Sequence, residues 1–256
     1  MNAVERAQLF TSLHVKGDPL VLFNVWDAGS AQAVESIGAQ AIATGSWSVA
    51  AADGYTDQEE IPLDAVLANL RRIVACVPLP VSLDFEGGYA REPEALQVNI
   101  EQVIAAGAIG INFEDQVVGG AGLYSVAEQV TRITAIRQAA DQLGVPLFIN
   151  ARTDIFLHAP PEQHSDAHLE DAIRRAHAYA EAGGSGFFAP GLADADRIAR
   201  LCAESPLPVN IMFLPYAPAP RQLAELGVAR ISYGPRPYRL VLETLKEAGR
   251  KALALE

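Results

Sequence analysis

Lysine is scarce in this sequence. The three lysines are Lys16, Lys246 and Lys251, and all lie near the two ends of the chain. A Schiff-base aldolase or a pyridoxal enzyme needs a lysine inside its active site. The terminal positions of these lysines argue against both classes of enzyme.

Cysteines and long apolar segments are also few. Cys76 and Cys202 are the two cysteines, and both fall within helical patterns, which favours a disulfide-free cytosolic protein. The longest apolar runs are strand-sized, far short of the ~20 residues that a membrane-spanning helix needs. The opening segment MNAVERAQLF is charged and has no apolar signal region. We therefore expect a cytoplasmic protein that does not enter a membrane.

Basic charge is low as well. The 19 basic residues face 31 acidic ones, which gives a formal net charge of −12. Nucleic acids and anionic membranes would repel such a surface, so neither is expected as a partner. The five histidines show no metal-ligand spacing and are not expected to bind a metal. Half of the residues are hydrophobic, which is ample for a core.

Short apolar runs recur along the chain, and helix-like segments follow them. The runs are continuously apolar, as expected for strands of a parallel sheet that is buried on both faces. Several helices end at a glycine before the next run. Eight such runs are found, at 19–25, 41–45, 79–84, 109–115, 146–151, 185–190, 207–212 and 229–234.

Eight βα units in about 250 residues predict an α/β fold, a (β/α)8 TIM barrel. A doubly wound open sheet is the alternative. We expect one domain over residues 1–256, because no linker or change in composition divides the chain. The last segment, about 236–256, has the pattern of a long amphipathic helix. This helix is expected to cap the barrel or to reach a neighbouring subunit.

Polar residues follow nearly every predicted strand. In barrels of this kind the active site forms at the C-terminal ends of the strands, so these residues are expected to share one rim. They are Trp26, Asp27, Ser46, Trp47, Ser48, Asp84, Glu86, Glu114, Asp115, Arg152, Asp154, Pro190, Asn210, Ser232 and Tyr233.

Three carboxylates are expected to converge at this rim. Asp84, Glu86 and Glu114 follow neighbouring strands, and like charges that meet in a partly buried place need protonation or a cation. Oxygen ligands without Cys or His select a hard ion, so Mg²⁺ is expected, with Mn²⁺ as the alternative.

Several of the residues at this rim also have a purely structural interpretation. Asp27 and Asp154 are typical helix caps or turn residues, and Asp115 is expected to face outward in the same way. Arg152 has an ion pair with an acidic neighbour as its alternative. Asn210 has backbone hydrogen bonding as its alternative.

The sequence resembles the isocitrate lyase / phosphoenolpyruvate mutase superfamily over about residues 18–245. The resemblance rests on collinear motifs, namely NVWDAGSA, TGSWSVA, GYTD, DFEGGYA, INFEDQ, NARTD and PVNI. It implies a (β/α)8 barrel with Mg²⁺ at the strand ends. It also implies an enzyme that binds a 2-oxo acid or a related carboxylate and makes or breaks a C–C or P–C bond beside an enolate.

The resemblance also implies residue roles. Asp84 is expected to bind the metal directly, while Asp57, Glu86 and Glu114 hold metal-bound waters. Ser46, Asp57 and Arg152 are the expected catalytic residues. Substrate contacts are expected from six residues, namely Trp26, Asp27, Ser46, Trp47, Arg152 and Asn210. Relatives form dimers or tetramers that exchange a C-terminal helix, so a homodimer or homotetramer is expected.

The loop at 116–125 departs from the family pattern. It reads QVVGGAGLYS and lacks both the cysteine motif of the lyases and the Lys and Asn of the P–C enzymes. Its glycines suit a mobile lid, with Tyr124 as its one evident proton-bearing group. These absences disfavour both a true isocitrate or methylisocitrate lyase and a phosphomutase. Cleavage of a carbon–carbon bond that needs only metal chelation and enolate stabilisation is therefore expected, most of all like that of oxaloacetate decarboxylase, with 2-methylisocitrate lyase-like cleavage beside it. Two alternatives remain open: P–C chemistry, and a binder of 2-oxo acids without catalysis.

Overall fold

A computed structural model describes residues 1–254. In this part of the chain eight parallel strands alternate with helices. Each strand lies within one of the predicted apolar runs, except that β5 extends one residue beyond its run, to Arg152. The strands are β1 (Leu20–Leu22), β2 (Ile42–Ala43), β3 (Val81–Asp84), β4 (Gly110–Glu114), β5 (Phe148–Arg152), β6 (Gly186–Phe188), β7 (Val209–Met212) and β8 (Arg230–Ser232).

Ten α-helices surround these strands in the described residues. A short 3₁₀ helix over Pro161–Gln163 precedes the seventh of them. The helices are α1 (Ala3–Ser12), α2 (Ala28–Ser36), α3 (Ser46–Ala52), α4 (Leu63–Cys76), α5 (Pro93–Ala105), α6 (Val126–Gln142), α7 (Asp166–Glu181), α8 (Ala195–Glu204), α9 (Pro220–Glu225) and α10 (Arg236–Leu253).

The strands form a barrel. Neighbours pair in the order β1-β8-β7-β6-β5-β4-β3-β2, and every pair is parallel. Val25 closes the gap between β1 and β2, because its amide donates to Ala43 O at 2.9 Å and its carbonyl accepts from Gly45 N at 3.2 Å. The predicted (β/α)8 barrel is confirmed, and the open sheet is excluded.

The barrel interior is more polar than the sequence analysis predicts. Apolar residues such as Ile149 and Ile211 alternate with buried asparagines, because successive strand side chains point to opposite faces. Asn150 Nδ2 donates to Asn112 Oδ1 at 2.9 Å and to Asn210 Oδ1 at 3.0 Å. Asn112 Oδ1 and Asn210 Oδ1 thus find a donor inside the barrel, whereas the buried Oδ1 of Asn150 has no partner among the described residues. The prediction that these strands are continuously apolar was wrong.

α1 packs at the N-terminal ends of the strands. Phe10 meets Phe148 edge to face, with ring centroids 5.4 Å apart. It fits there because Gly110 has no side chain, and a Cβ at that position would lie 2.9 Å from the Phe10 ring. This end of the barrel is filled by apolar side chains, so the opposite end is the one open to a substrate.

α10 occupies the predicted C-terminal extension as far as Leu253, while residues 255 and 256 lie outside the described part. Pro237 is the one buried residue of this helix. Leu240, Val241 and Leu245 are 60%, 49% and 65% exposed. Within residues 1–254 no helix is both long enough and apolar enough to cross a membrane.

Candidate active site

An open cavity of about 160 Å³ lies at the C-terminal ends of the strands. Pro190 and Ser232 of the predicted rim line it, together with five residues that were assigned a catalytic, substrate or metal role. These five come from the start of α3, the loop after α3 and the ends of β3 and β5. They are Ser46, Trp47, Asp57, Asp84 and Arg152. The tertiary structure thus brings together residues that are up to 106 positions apart, from Ser46 to Arg152.

Asp84 is held at the end of β3 by neighbouring strand ends. Its Oδ2 accepts from the Ser46 amide at 2.9 Å, and its Oδ1 accepts from Asn112 Nδ2 at 3.3 Å. Its own amide donates to Thr44 Oγ1 at 2.9 Å. These three bonds fix the carboxylate on the cavity wall.

The Ser46 amide is therefore not free for a substrate. The Trp47 amide, which follows it in the first turn of α3, has no acceptor among residues 1–254. The Trp47 N–H and the Ser46 hydroxyl are thus the donors that α3 offers to the cavity.

The carboxylates that follow β3 lie in a tight turn. Glu86 has a φ of 50° and Tyr89 a φ of 56°, values that are strained for residues with side chains. In this conformation Glu86 Oε2 accepts from the Glu59 amide at 3.0 Å. The Tyr89 amide donates to Glu59 Oε1 at 2.8 Å. Glu59 supports this turn but does not line the cavity.

The acidic residues of this region raise one another's pKa values. Burial, with the carboxylates of Asp57 and Asp84, raises the pKa of Glu86 to about 8. Burial and the nearby Asp84 also raise the pKa of Asp57. Without a cation, part of this cluster is protonated near neutral pH.

The residues fit a hard cation. The candidate donors are carboxylate oxygens, and the buried Oδ1 of Asp57 has no hydrogen-bond partner among the described residues. Within residues 1–254 no group of three or more Asp, Glu, His or Cys side chains is arranged to hold a metal ion by itself. Mg²⁺ keeps several of its waters when bound, so a few carboxylate oxygens could hold it here. The assignment of Asp84 as its direct ligand stays a prediction.

Arg152 carries the positive charge of the cavity. It donates to Asp154 through Nε at 2.6 Å and through Nη2 at 2.8 Å. Its Nη1 lies 2.9 Å from Glu114 Oε2. Burial disfavours its charged form, but the two carboxylates outweigh burial and raise the pKa of Arg152 well above its usual value. Both interpretations of Arg152 apply, because it forms an ion pair and also lines the cavity.

Glu114 does not line the cavity. Burial raises its pKa well above the usual value, although the Arg152 charge opposes this shift. Glu114 is a partner of the Arg152 guanidinium, and its role in holding metal-bound water stays a prediction.

Asp115 supports Arg152 from behind. The sequence predicts an outward-facing residue, but Asp115 is fully buried. Its Oδ2 accepts from Arg175 Nη1 at 3.0 Å and from the Tyr179 hydroxyl at 2.8 Å. Its Oδ1 accepts from the Asp154 amide at 3.0 Å. The outward prediction was wrong, because two side chains of α7 and a backbone amide provide buried partners.

The structure places three predicted substrate contacts away from the cavity. Asp27 caps α2, where its Oδ1 accepts from the Ser30 amide at 2.7 Å. The Trp26 ring packs edge to face on Tyr238, with centroids 5.0 Å apart. Asn210 points into the barrel, where its Nδ2 donates to Ser232 Oγ at 3.1 Å. These corrections follow the structural alternatives for Asp27 and Asn210.

Other lining residues were missed by the sequence analysis. Asn24 and Asn112 line the polar side of the cavity, and their positions within predicted strands gave no signal. The apolar side is formed by Leu157, Phe188, Pro190, Met212 and Pro235. Of these, Pro190 was noted as the residue that follows the sixth strand.

The loop at 116–125 packs over the turn after β3 and does not line the cavity. The Val117 amide donates to Gly122 O at 3.0 Å, which closes the loop on itself. The guanidinium of Arg132 lies 4.1 Å from the Tyr124 ring centroid and 4.7 Å from that of Phe113. Tyr124 therefore has a packing role here, the alternative to the predicted proton-bearing one.

Comparisons with known proteins agree with this geometry. A family model described as phosphoenolpyruvate phosphomutase matches residues 10–253. The chain belongs to this family. The resemblance to the isocitrate lyase / phosphoenolpyruvate mutase superfamily is thereby confirmed.

Three relatives of the phosphoenolpyruvate mutase family show its range. The crystal structure of a Burkholderia cenocepacia J2315 protein, provisionally described as a phosphonomutase, has a TM-score of 0.96 and 48% identity, over 98% of this chain and all of that one. The 2-methylisocitrate lyase of Salmonella typhimurium is 29% identical over 80% of this chain and 69% of its own length. The oxaloacetate decarboxylase of Bradyrhizobium sp. BTAi1 is 30% identical over 80% and 68%.

Proposed function

We propose that this protein is a Mg²⁺-dependent carbon–carbon lyase that acts on a 2-oxo acid, or a related carboxylate, through an enolate. The proposal rests on one observation, which is that Asp84, Arg152 and the donors of Ser46 and Trp47 line the same cavity. An acidic group, a guanidinium and neutral donors at one barrel rim suit a reaction in which negative charge develops on oxygen.

Mg²⁺, held by Asp84 with Asp57 beside it, would supply Lewis-acid polarisation of the 2-oxo group. Arg152 stabilises the negative charge that develops as the bond breaks, and its planar guanidinium suits a carboxylate. The Trp47 N–H and the Ser46 hydroxyl donate hydrogen bonds to substrate oxygens. For oxaloacetate the bond to the carboxylate beside the methylene carbon breaks and CO2 leaves without the electron pair. That pair passes into the pyruvate enolate, which takes a proton from water to give pyruvate.

The loop at 116–125 lacks the cysteine motif of the lyases as well as the Lys and Asn of the P–C enzymes, so it favours a carbon–carbon cleavage that needs no acid from the loop. This loop has no charged residue, so it offers nothing to pair with a phosphonate. Relatives named 2-methylisocitrate lyase and oxaloacetate decarboxylase support the same choice. The similarity to a provisional phosphonomutase supports the alternative, which is tested beside it.

The test is turnover by the purified protein with Mg²⁺. The panel contains oxaloacetate, 2-methylisocitrate, alkyl-substituted malates and phosphonopyruvate. A coupled dehydrogenase measures release of the 2-oxo acid, and a second assay measures phosphate. We expect 2-oxo acid release above the metal-only background, with loss of the signal in EDTA.

Three outcomes contradict the proposal. Phosphate release from phosphonopyruvate alone would assign P–C chemistry. Stabilisation by Mg²⁺ with oxalate, without turnover of any compound, would assign a binder without catalysis. Turnover that is unchanged by EDTA would remove the metal from the mechanism.

We also propose that the protein forms a homodimer or homotetramer through α10. The exposed Leu240 and Leu245 of this helix, with an adjoining apolar groove of about 460 Å³ that contains Phe213, support this assembly. Light scattering after gel filtration is expected to show an oligomer, and Leu240→Glu with Leu245→Glu is expected to give a monomer. Leu143→Glu, at the end of α6, is the control. A monomeric wild-type protein contradicts the assembly.

A further inference from the structure

We propose that the far side of the cavity is a subsite for an aliphatic substituent, so that the preferred substrates carry an alkyl group where other 2-oxo acids carry a further carboxylate. This inference rests on the proposed function, because the 2-oxo carboxylate end must lie on the polar side. It adds a statement about the chemical class of the group at the other end of the substrate.

The cavity has a polar side and a mainly apolar side. Its polar side contains Ser46, Asp57, Asp84, Asn112 and Arg152. The other side contains Leu157, Phe188, Pro190, Met212 and Pro235, with the hydroxyl of Ser232 as a polar group among them. The apolar residues come from the ends of β5 to β8 and the loops that follow them. A substrate that spans the cavity therefore meets ionic groups at one end and hydrocarbon at the other.

The charge of Arg152 is already balanced by two protein carboxylates, so it cannot also neutralise a second carboxylate of the substrate. Its guanidinium is shared by Asp154, through two hydrogen bonds, and by Glu114 at 2.9 Å. It is the one basic residue among those that line the cavity in the described part of the chain. A carboxylate against the apolar side would lose its hydration without gaining a cation.

The surrounding segments do not supply the missing cation. The loop at 116–125 has no charged residue, so its movement over the cavity would add only neutral or apolar groups. Arg236 and Arg239 line the adjoining groove and are exposed. Arg236 lies over Phe213 and Arg239 over Trp47, at 5.2 and 4.5 Å from the ring centroids.

The test compares two ligands of equal shape by calorimetry with Mg²⁺. In 5-methyl-2-oxohexanoate an isopropyl group replaces the distal carboxylate of 2-oxoglutarate. Oxalate, which has no tail, reports on the polar side alone. We expect oxalate to bind, and we expect the alkyl acid to bind at least tenfold more tightly than 2-oxoglutarate.

Two variants place a cation on the apolar side. Leu157→Arg is expected to reduce the alkyl preference at least tenfold, and Leu157 is 47% exposed, so the fold should tolerate the change. Leu143→Arg, at 48% exposure on α6, is the matched control and should leave the preference unchanged. Met212→Lys is the second variant, in case the first does not fold.

The outcomes separate the two proposals. If oxalate binds but 2-oxoglutarate binds as tightly as the alkyl acid or more tightly, the subsite is overturned and the proposed function stands. If 2-oxoglutarate binds tightly to the wild type but not to Arg239→Gln, then Arg239 binds the distal carboxylate. This result also overturns the subsite. If none of the three ligands binds with Mg²⁺, the proposed function fails and the subsite fails with it.

Discussion

The backbone amide of Ser46 donates a hydrogen bond of 2.9 Å to Oδ2 of Asp84. The start of α3 thereby orients the carboxylate at the end of β3. Because the amide cannot rotate, the carboxylate keeps one face toward the cavity. The candidate metal ligand is thus positioned by a neighbouring backbone rather than by a flexible side chain.

Asp84→Asn tests this residue as the metal ligand. The amide oxygen can still accept from Ser46, so the fold is expected to persist while the charge is lost. We expect turnover to fall by roughly 10³-fold, because charge stabilisation by a metal is worth several kcal/mol. The stabilisation by Mg²⁺ in a melting experiment should also disappear. Asp53→Asn, an exposed acid at the end of α3, is the control. Full activity in Asp84→Asn would falsify the assignment.

Arg152→Lys tests the guanidinium. Lysine keeps the charge but cannot make the paired bonds to Asp154 while also meeting Glu114. We expect kcat/KM to fall by about 10²- to 10³-fold, the usual effect of losing one oriented donor to a developing oxyanion. Steady-state kinetics measure this change. Arg174→Lys, at a 65% exposed side chain, serves as the control. Wild-type kcat/KM in Arg152→Lys would mean that charge alone is sufficient there.

Glu86 makes the stability of the metal-free protein depend on pH. Its pKa is raised from 4.5 to about 8 in the folded state, mainly by burial. The folded state then holds more protons than the unfolded state between these values, so the free energy of unfolding falls as pH rises toward 8. Buried His14, with a pKa lowered to about 3, acts in the opposite direction, but only below pH 6.5.

Glu86→Gln is therefore expected to flatten the decline between pH 6.5 and 8. The wild-type slope from this one group approaches about 1.4 kcal/mol per pH unit at most. Urea unfolding in EDTA measures the slope. Glu128→Gln, at an exposed capping residue of α6, is the control. Parallel slopes for wild type and Glu86→Gln would contradict the buried, protonated Glu86.

Gly88→Ala tests the turn that carries Glu86. Gly88 has a φ of +86°, and a Cβ there would lie 2.4 Å from Leu96 Cδ2 and 3.0 Å from the Phe113 ring. Backbone strain and overpacking together are expected to cost about 2–5 kcal/mol. Gly144→Ala is the matched control, because its φ is +67° and nothing lies within 4 Å of the added Cβ. Chemical denaturation should show a clearly smaller loss for Gly144→Ala, and equal losses would mean that the clash is relieved.

Local patterns were sufficient to predict the barrel and about half of the site. The strand ends carry Asp84 and Arg152 to one rim in any (β/α)8 barrel, so their convergence follows from their order in the chain. Asn210 also lies near the end of a strand, but its side chain points into the barrel and not toward the cavity. Whether a strand residue faces the cavity or the interior depends on register and on its height along the barrel, which a single sequence does not encode locally.

The sequence by itself determined the eight βα units, the acidic residues after β3 and the neutral loop at 116–125. These features depend only on residue type and spacing, so they can be predicted without the tertiary structure. The tertiary structure decided that Asp115 is buried beneath Arg152 and that Asp27 only caps a helix. It also decided that Leu157, Phe188 and Met212 form one apolar side of the cavity. In the sequence these residues resemble any others of the core, because only the closed barrel places them opposite Asp84.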